Sequence, residues 1–171
     1  MIDTKLELKK VIKIEQSKYS IYSPIRKYLK ELRICEYYKN VNSGINRGLF
    51  VLHECYRKIL GLVLGFEIPL NVFDKGLHII HAGNIIVNEN SHVGEYCTII
   101  GTTCLGSKNG GNGPILGSHC ELGMNSIVIG EIELGNNVFV GAGAVVTKSF
   151  SDDGISLAGV PAKVVKIENE K

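Results

Sequence analysis

The chain has 171 residues with a formal net charge of +2, and 44% of them are hydrophobic, so one folded domain with a small appendage is expected. Its longest apolar run, Ile59 to Phe66, is too short to span a bilayer, and the charged start MIDTKLELKK lacks the apolar stretch of a signal peptide. Five scattered cysteines without a CxxC pair indicate neither a zinc site nor a disulfide framework, which favours a reducing, cytoplasmic location.

The charge is divided unevenly along the chain. Residues 1–66 hold 13 Lys and Arg against 6 Asp and Glu, a balance of +7, whereas residues 67–171 hold 6 against 11, a balance of −5. Six of the seven tyrosines also lie in the first part. We favour an ordinary solvated helical surface, and the alternative is peripheral contact with a membrane or an anionic glycan; no nucleic-acid partner is expected.

The N-terminal part of the chain, positions 1–66, is predicted to be a small α-helical region. An opening helix is expected over residues 3–18. Ser23 followed by Pro24 predicts the start of a second helix, because Ser is a good N-cap and Pro suits the first helical position. Apolar residues at helical spacing predict a third helix from about Asn46 to Leu64.

A period of six residues governs the chain beyond Glu67. The aliphatic positions are Val87, Val93, Ile99, Leu105, and then Leu116, Leu122, Val128, Leu134, Val140 and Val146. This period fits neither a helix nor a simple strand alternation, and it predicts a parallel β-helix in which each hexapeptide forms one face of a coil. Small residues four positions later, such as Cys97 and Cys120, are predicted to point inward.

These patterns predict three regions: helices over 1–66, a β-helix over 67–150, and a C-terminal tail over 151–171. The frame breaks between Leu105 and Leu116, where a glycine-rich stretch predicts a protruding loop over 107–115. The period extended backward from Val87 places His81 at an inward position, where it would be a polar filler of the first coil.

Three segments resemble the serine acetyltransferase family of hexapeptide-repeat acyltransferases. They are Glu67-Ile-Pro with Gly76-Leu-His-Ile-Ile-His81-Ala-Gly, the run Ile99 to Gly106 before the loop, and Val140 to Lys148 with Ala158-Gly-Val-Pro-Ala-Lys163. The resemblance implies a mainly β fold with a left-handed parallel β-helix. It also implies a homotrimer that binds acetyl-CoA in the groove between neighbouring subunits.

The resemblance also implies roles for particular residues. His81 would be the general base that takes the proton of an acceptor hydroxyl, with Glu67 orienting its ring. The backbone N–H of Gly106 or Ser107 would stabilise the oxyanion. The residues that would hold the coenzyme are Ala142, Lys148, Ala158, Gly159 and Lys163. No metal is expected, because a thioester is already activated.

The chain departs from the family at positions that bear on the acceptor. Ile80 stands where the family has Asp before the catalytic His, and Gly113 stands before Pro114 where the family has a His that holds the amino acid. The chain ends in Lys171 rather than Ile, so no complex with cysteine synthase is expected. These departures weaken the case for serine, and the short chain with this pattern resembles the O-acetyltransferases of capsule and exopolysaccharide assembly, which implies a sugar hydroxyl as acceptor. The alternative is serine O-acetylation for cysteine biosynthesis.

Two further alternatives belong to other classes. A β-helical zinc carbonic anhydrase would need histidine ligands across coils, and His78, His81, His92 and His119 are poorly spaced for that. A non-enzymatic scaffold is the other alternative. His78 is expected to be structural, and His53, His92 and His119 are expected at the surface.

Overall fold

A computed structural model describes residues 2–41 and 44–167, and it divides into two compact units, residues 1–66 and 67–171. The helices of the first unit are α1 (Lys5–Gln16), α2 (Pro24–Val41) and α3 (Gly44–Leu64). The Thr4 hydroxyl accepts a hydrogen bond from the Glu7 amide and caps α1, and Ser23 Oγ accepts from the Arg26 amide at the start of α2. The predicted Ser-Pro helix start is therefore confirmed.

The helical unit is held together by apolar contacts and by buried ion pairs. Ile2, Val11 and Tyr37 form an apolar cluster between the chain start, α1 and α2. Arg33 of α2 is 1% exposed and donates to Glu15 of α1 at 2.7 Å and to Glu36 at 2.8 Å. The guanidinium hydrogen-bonds both carboxylates, and this offsets part of the cost of removing the three charges from water.

The second unit is a parallel β-solenoid of about five turns. Its strands are β1 (Phe66–Glu67), β2 (His78–Ile79), β3 (Ile85–Val87), β4 (His92–Val93), β5 (Thr98–Ile99), β6 (Thr103–Gly106), β7 (Ile115–Leu116), β8 (Glu121–Leu122), β9 (Ser126–Ile129), β10 (Glu133–Leu134), β11 (Phe139–Val140), β12 (Val145–Val146), β13 (Ile155–Ala158) and β14 (Lys163–Ile167). The prediction of a mainly β, hexapeptide-based solenoid after a short helical region is confirmed.

The strands form three sheets, one for each face of the solenoid. Sheet A has the order β1-β3-β6-β9-β12, sheet B β10-β7-β4, and sheet C β14-β13-β11-β8-β5-β2. In pairs such as Val87↔Leu105 and Leu122↔Val140 the partners are separated by three hexapeptides, which make one coil. The aliphatic residue of each hexapeptide stacks inside on its equivalent in the next coil, and these residues, with Cys97 and Cys120, are buried.

Between Ile79 and Val146 the hexapeptide frame breaks twice, not once as the sequence period predicts. The first break is the loop before Pro114, which makes the coil from Val93 to its partner Leu116 longer than three hexapeptides. The second lies between Ile79 and Val87. Ile79 pairs with Ile99, two residues further along the chain than three hexapeptides would reach, whereas Val87 pairs with Leu105 at the regular spacing. Two extra residues therefore sit at this corner of the first coil.

The second break overturns the inward position predicted for His81. Ile79 fills the interior with 0% exposure, the chain then leaves the coil, and it returns at the buried Ile85. His81 is exposed. The polar-filler interpretation of His81 is therefore wrong, because the two inserted residues shift it out of the six-residue frame.

Residues 155–158 and 163–167 continue the structure beyond the last regular hexapeptide. β13 adds to sheet C beside β11, with Ser156 opposite Phe139, and β14 pairs antiparallel with β13. In the described part of the chain, no helix has the length and apolar character needed to cross a membrane.

Candidate active site

One edge of the solenoid carries His81 and most of the residues predicted to hold the coenzyme. We call it the His81 ridge: the corner segments between sheets C and A, residues 80–83, 100–102, 123–125, 141–143 and 158–161. Hydrogen bonds join successive segments, from His81 N to Ile100 O at 3.1 Å and from Gly143 N to Met124 O at 2.9 Å. The segments are thus stacked in register along the solenoid.

Gly101 shapes the ridge beside His81. A Cβ added at Gly101 would lie 3.8 Å from the His81 Cβ and 3.1 Å from the Met124 Cε. Because Gly101 has no side chain, the Met124 side chain of the next coil packs closely over it, beside His81 of the coil before. Met124 is 42% exposed and gives this part of the ridge an apolar surface.

The far end of the ridge brings together four of the predicted coenzyme residues. Ala142 is exposed on the fourth coil, and the fifth coil continues with Ala158 and Gly159. Val145 N donates to Gly159 O at 3.0 Å, which ties the fifth coil to the fourth. Lys163 is exposed opposite Ala158 in the hairpin of β13 and β14.

The other predicted residues lie on a second edge, between sheets A and B. Gly106 ends β6 and Ser107 begins the loop, while Lys148 follows β12 at the same edge with its Nζ 5.2 Å from the centre of the Phe150 ring. We call this edge the loop ridge: residues 106–114 and 147–150. From Gly101 on the His81 ridge to Gly106 the chain is mostly extended and spans roughly 15 Å. Within one chain, His81 and the predicted oxyanion donors are therefore not brought together.

Glu67 is exposed in β1, at the edge of sheet A beside β3. Strand β3 begins at Ile85, four residues after His81, so both side chains belong to the first part of the solenoid. In the described residues no hydrogen bond joins the Glu67 carboxylate to the His81 ring. The orienting role of Glu67 stays a prediction.

The remaining histidines are dispersed. His78 is half-buried in β2, His92 faces Asp74 at 3.5 Å, and His119 stacks on the Tyr96 ring with a centroid separation of 5.2 Å. His53 is not a simple surface residue, since its Nδ1 lies 2.6 Å from Glu31 Oε2. Across residues 2–41 and 44–167, no three His, Cys, Asp or Glu side chains group as metal ligands.

Sequence reasoning missed Gly101 and Met124 as parts of the site. Both occupy the same corner as His81, but only the register of the coils shows this, because a whole coil of chain separates His81 from Gly101 and another separates Gly101 from Met124. The available signal was the spacing from Ile79 to Val87, which exceeds one hexapeptide by two residues and marks a corner that departs from the repeat.

The comparisons with known proteins agree with this architecture. A family model described as "Bacterial transferase hexapeptide (six repeats)" matches residues 113–148. The serine acetyltransferase of Synechococcus elongatus is 32% identical over 108 residues, covering 61% of this chain and 44% of that relative. The Escherichia coli K12 protein described as "Putative colanic acid biosynthesis acetyltransferase WcaB" is 34% identical over 137 residues, covering 78% of this chain and 84% of that relative.

Solved structures show the same fold. The serine acetyltransferase of Brucella abortus strain S19 superposes with a TM-score of 0.81 at 19% identity, covering 96% of this chain and 71% of that one. A serine acetyltransferase solved in complex with CoA gives a TM-score of 0.77 at 19% identity, covering 94% and 71%. The chain spans about half the length of the first curated serine acetyltransferases it matches, 44% of one and 55% of another.

The three-sided hexapeptide solenoid, together with 34% identity to WcaB over 84% of that relative, places the chain among the hexapeptide-repeat acetyltransferases. Within that class, similarity along most of the length of WcaB and to serine acetyltransferases is decisive. The chain belongs to the acetyltransferases of serine acetyltransferase type.

Proposed function

We propose that this protein is an acetyl-CoA-dependent O-acetyltransferase with His81 as its general base. The observation that carries the proposal is the two-residue insertion before Val87, which places an imidazole on an exposed edge. His81 is therefore not part of the solenoid core, which Ile79 and Ile85 fill at this coil. Imidazole is the side chain whose unperturbed pKa best suits proton transfer near neutral pH.

In the proposed reaction His81 accepts the proton of the acceptor hydroxyl as its oxygen attacks the thioester carbonyl carbon. The thioester supplies an activated acyl group with a good leaving group, so neither a metal nor an acyl-enzyme is needed. When the carbon–sulfur bond breaks, the imidazolium returns the proton to the departing thiolate. The products are the acetyl ester and a free thiol, and the histidine is neutral again.

The His81 ridge suits an extended coenzyme arm. The backbone around Ala142, Ala158 and Gly159 is accessible at its far end, and Lys163 adds a positive charge suited to a phosphate. Met124, which is 42% exposed, provides an apolar contact between the two ends, and Val160, which is 71% exposed, provides one at the far end. Four steps between coils separate His81 from Gly159, roughly 19 Å at the usual spacing of strands. A chain-like ligand along the ridge would therefore place its reactive end at His81.

The site is completed in our proposal by other copies of the chain, in the homotrimer that the resemblance implies. His81 lies on one edge of sheet A, and Gly106, Ser107 and Lys148 lie on the other. The outer face of sheet A between these edges is an apolar ladder of Ile86, Cys104, Ile127 and Val145. Packing of this face against a neighbour would bring the loop ridge of one copy to the His81 ridge of the next.

For the acceptor we propose L-serine first. The first curated relatives are serine acetyltransferases, and they support this alternative better than the sugar hydroxyl predicted from the sequence. The chain keeps the histidine and the coenzyme segment of that family, although not every residue around the acceptor.

A sugar hydroxyl is the second candidate, and Gly113 favours it. A Cβ at this position would collide with the Ser91 hydroxyl and would lie 2.9 Å from the Ser91 amide nitrogen. The position where the family carries its acceptor-holding histidine therefore has no room for a side chain here. WcaB, of which the chain covers 84%, is described as a putative acetyltransferase of colanic acid biosynthesis, and this relative also supports a sugar acceptor.

The test is a thiol-release assay with purified protein, acetyl-CoA and a panel of L-serine, related amino acids and nucleotide sugars. Saturable release with L-serine at a KM on the order of 1 mM or below supports serine acetylation. Release only with a sugar supports the second candidate. If no acceptor hydroxyl raises the rate above hydrolysis, the O-acetyltransferase proposal is wrong.

A further inference from the structure

The outer side of sheet C carries an open cavity of about 500 Å³ beside the corner where sheet B leads into sheet C. Strands β8, β11 and β13 form its floor, and β14 lies along one side. We call it the sheet C cavity. Its lining includes the side chains of His119, Glu121, Asn137, Phe139, Ser156 and Lys166. A volume of this size is within the usual range for small-molecule sites.

The cavity lies where a row of stacked side chains ends at a glycine. The row occupies the same corner position in successive coils and consists of Tyr96, His119, Asn137 and Gly154, with φ angles of 57°, 59°, 54° and 67°. The His119 ring stacks on the Tyr96 ring at an interplanar angle of 16°. Gly154 has no side chain to continue the row, and it lines the cavity. The fifth coil therefore leaves this position open to a ligand.

Several polar groups of the cavity are not needed to hold the fold together. Glu121 and Ser156 are half-buried, and Asn137 is exposed. Within residues 2–41 and 44–167, the Glu121 carboxylate, the Asn137 side-chain amide and the Ser156 hydroxyl make no hydrogen bond or ion pair to another residue. These groups can therefore bind a ligand without breaking a contact within the protein.

The charges around the cavity favour an uncharged ligand. Glu121 and Lys166 contribute one charge of each sign to the lining. Asp152 and Asp153 are exposed at the same corner, where the Asn136 N–H donates to the Asp153 carboxylate at 2.6 Å and fixes its position. A phosphate or carboxylate ligand would thus meet three carboxylates and one ammonium group, and the net effect is repulsion.

We propose that the sheet C cavity binds an uncharged hexose unit of a glycan. The ring of Phe139 is 38% exposed on the cavity floor and offers an apolar surface to the C–H groups of a sugar ring. The hydroxyls of a sugar both donate and accept, so they match the Glu121 carboxylate, the Ser156 hydroxyl and the Asn137 amide together. A purely apolar ligand would leave these polar groups without partners, which is costly.

The cavity is separate from the His81 ridge and stays accessible in the proposed assembly. The His81 ridge follows the edge of sheet C that leads into sheet A, whereas the cavity lies at the edge that comes from sheet B. Strands β2 and β11 are three strand spacings apart, roughly 14 Å. The corner between sheets B and C is opposite sheet A in a three-sided solenoid, so contact between copies through sheet A leaves it uncovered. Sugar binding here therefore does not depend on the chemistry proposed at His81.

Ligand-observed NMR with the full chain tests the proposal. Saturation transfer from protein to ligand is measured for the methyl glycosides of D-glucose, D-galactose and D-mannose and for maltotriose, and titration gives each Kd. Glu121→Ala is compared with Glu133→Ala, because each residue begins a Glu-Leu strand and Glu133 lies on sheet B. Phe139→Leu keeps an apolar side chain but removes the ring. Circular dichroism and the unfolding midpoint verify that each variant is folded.

We expect at least one of these sugars to bind with a Kd on the order of 1 mM, because the cavity is open and has few polar groups. Glu121→Ala should weaken binding about tenfold, since hydrogen bonds to a carboxylate are lost, and Glu133→Ala should bind as the wild type does. Phe139→Leu should weaken binding about threefold. Saturating acetyl-CoA should not displace the sugar.

The proposal is overturned if none of the sugars binds, or if folded Glu121→Ala binds as well as Glu133→Ala. It is also overturned if acetyl-CoA displaces the sugar, since the sugar would then lie on the His81 ridge. Tighter, Glu121-dependent binding of uridine monophosphate would overturn it as well, because the cavity would then accept a phosphate. Sugar binding by a chain that transfers no acetyl group would support this proposal and refute only the proposed function.

Discussion

His81 is a residue whose removal should affect chemistry without affecting the core. It is exposed, and its backbone N–H donates to Ile100 O, a hydrogen bond that any residue except proline keeps. The interior at this coil is filled by Ile79 and Ile85, both 0% exposed. A change at residue 81 therefore tests the proposed general base separately from folding.

We predict that His81→Ala lowers kcat of thiol release by about 10²- to 10⁴-fold, the usual contribution of a general base, with little change in the KM for acetyl-CoA. His92→Ala is the matched control, because His92 is also an exposed histidine of the solenoid but lies in β4 of sheet B. It should keep the wild-type kcat. Equal rates for the two variants would remove His81 from the mechanism.

Gly113 is a residue whose size matters for stability. A methyl group there would meet the buried Ser91 hydroxyl and the Ser91 backbone, where the loop rejoins the solenoid. We predict that Gly113→Ala lowers the free energy of unfolding by about 1–3 kcal/mol. Gly48→Ala is the control, since nothing lies within 4 Å of its added Cβ inside α3 and alanine should stabilise that helix by about 0.5–1 kcal/mol. Urea unfolding measures both, and a neutral Gly113→Ala would contradict the packing described here.

At the scale of elements, the contact of α2 with α3 combines apolar packing with polar groups at low exposure. The Tyr28 and Phe66 rings meet edge to face with centroids 5.1 Å apart, and the Arg57 guanidinium lies 6.0 Å from the centre of the Tyr28 ring. Burial raises the pKa of the Cys35 thiol to about 12, and the charge of Glu54 adds to this effect. The Glu54 carboxylate and the Arg57 guanidinium are therefore charged groups that lie at the contact between α2 and α3.

The pH dependence of unfolding should report on Glu54. Burial is the largest single influence and would raise the pKa of its carboxyl, but the hydrogen bonds and the charge of Arg57, with smaller contributions from Cys35 and Lys58, together hold the pKa below its usual value. Because the folded pKa is the lower one, the pair stabilises the fold above the unfolded pKa of about 4.3, and this stabilisation is lost as the pH falls through the folded pKa. We predict a fall in the urea midpoint of the helical signal between neutral pH and about pH 3, smaller in Glu54→Gln. Glu89→Gln, at an exposed solenoid position, should retain the wild-type fall, and an unchanged profile for Glu54→Gln would refute the prediction.

At the scale of the whole molecule, the proposed assembly depends on the outer face of sheet A. Ile86 of that face and Ile115 of sheet B are both 46% exposed at outward positions of the solenoid, so they form a matched pair. Ile86 continues along sheet A into Cys104 and Ile127, whereas Ile115 lies between His92 and Glu133 on sheet B. Of these two residues, Ile86 has the apolar neighbours expected of a contact between copies, and Ile115 does not.

We predict that Ile86→Glu dissociates the oligomer and lowers acetyl transfer in parallel, because it places a charge in the proposed seam. Ile115→Glu should leave both properties unchanged. Sedimentation velocity gives the oligomeric state, and the thiol-release assay gives the activity. Full activity in a dissociated Ile86→Glu variant would show that one chain contains a complete site.

Much of the architecture followed from local pattern. The six-residue spacing from Leu116 to Val146 predicts the solenoid because every coil repeats the same inward position, and Ser23-Pro24 predicts the start of α2 because capping is a local interaction. The exposed position of His81 could not be predicted from the six-residue repeat, since a two-residue insertion shifts the frame of the repeat without changing the composition.

The sequence by itself determined the hexapeptide solenoid, the short helical region and the family. These depend on periodicity and on short segments that can be recognised from their residues without knowledge of their tertiary surroundings. Only the tertiary structure decided that His81 stands on an exposed corner beside Gly101 and Met124, with Gly106 and Ser107 on the other edge of sheet A. The reason is that stacking brings together residues that are a whole coil apart in the chain. Which residues meet depends on the length of each coil, and an insertion of two residues alters that length.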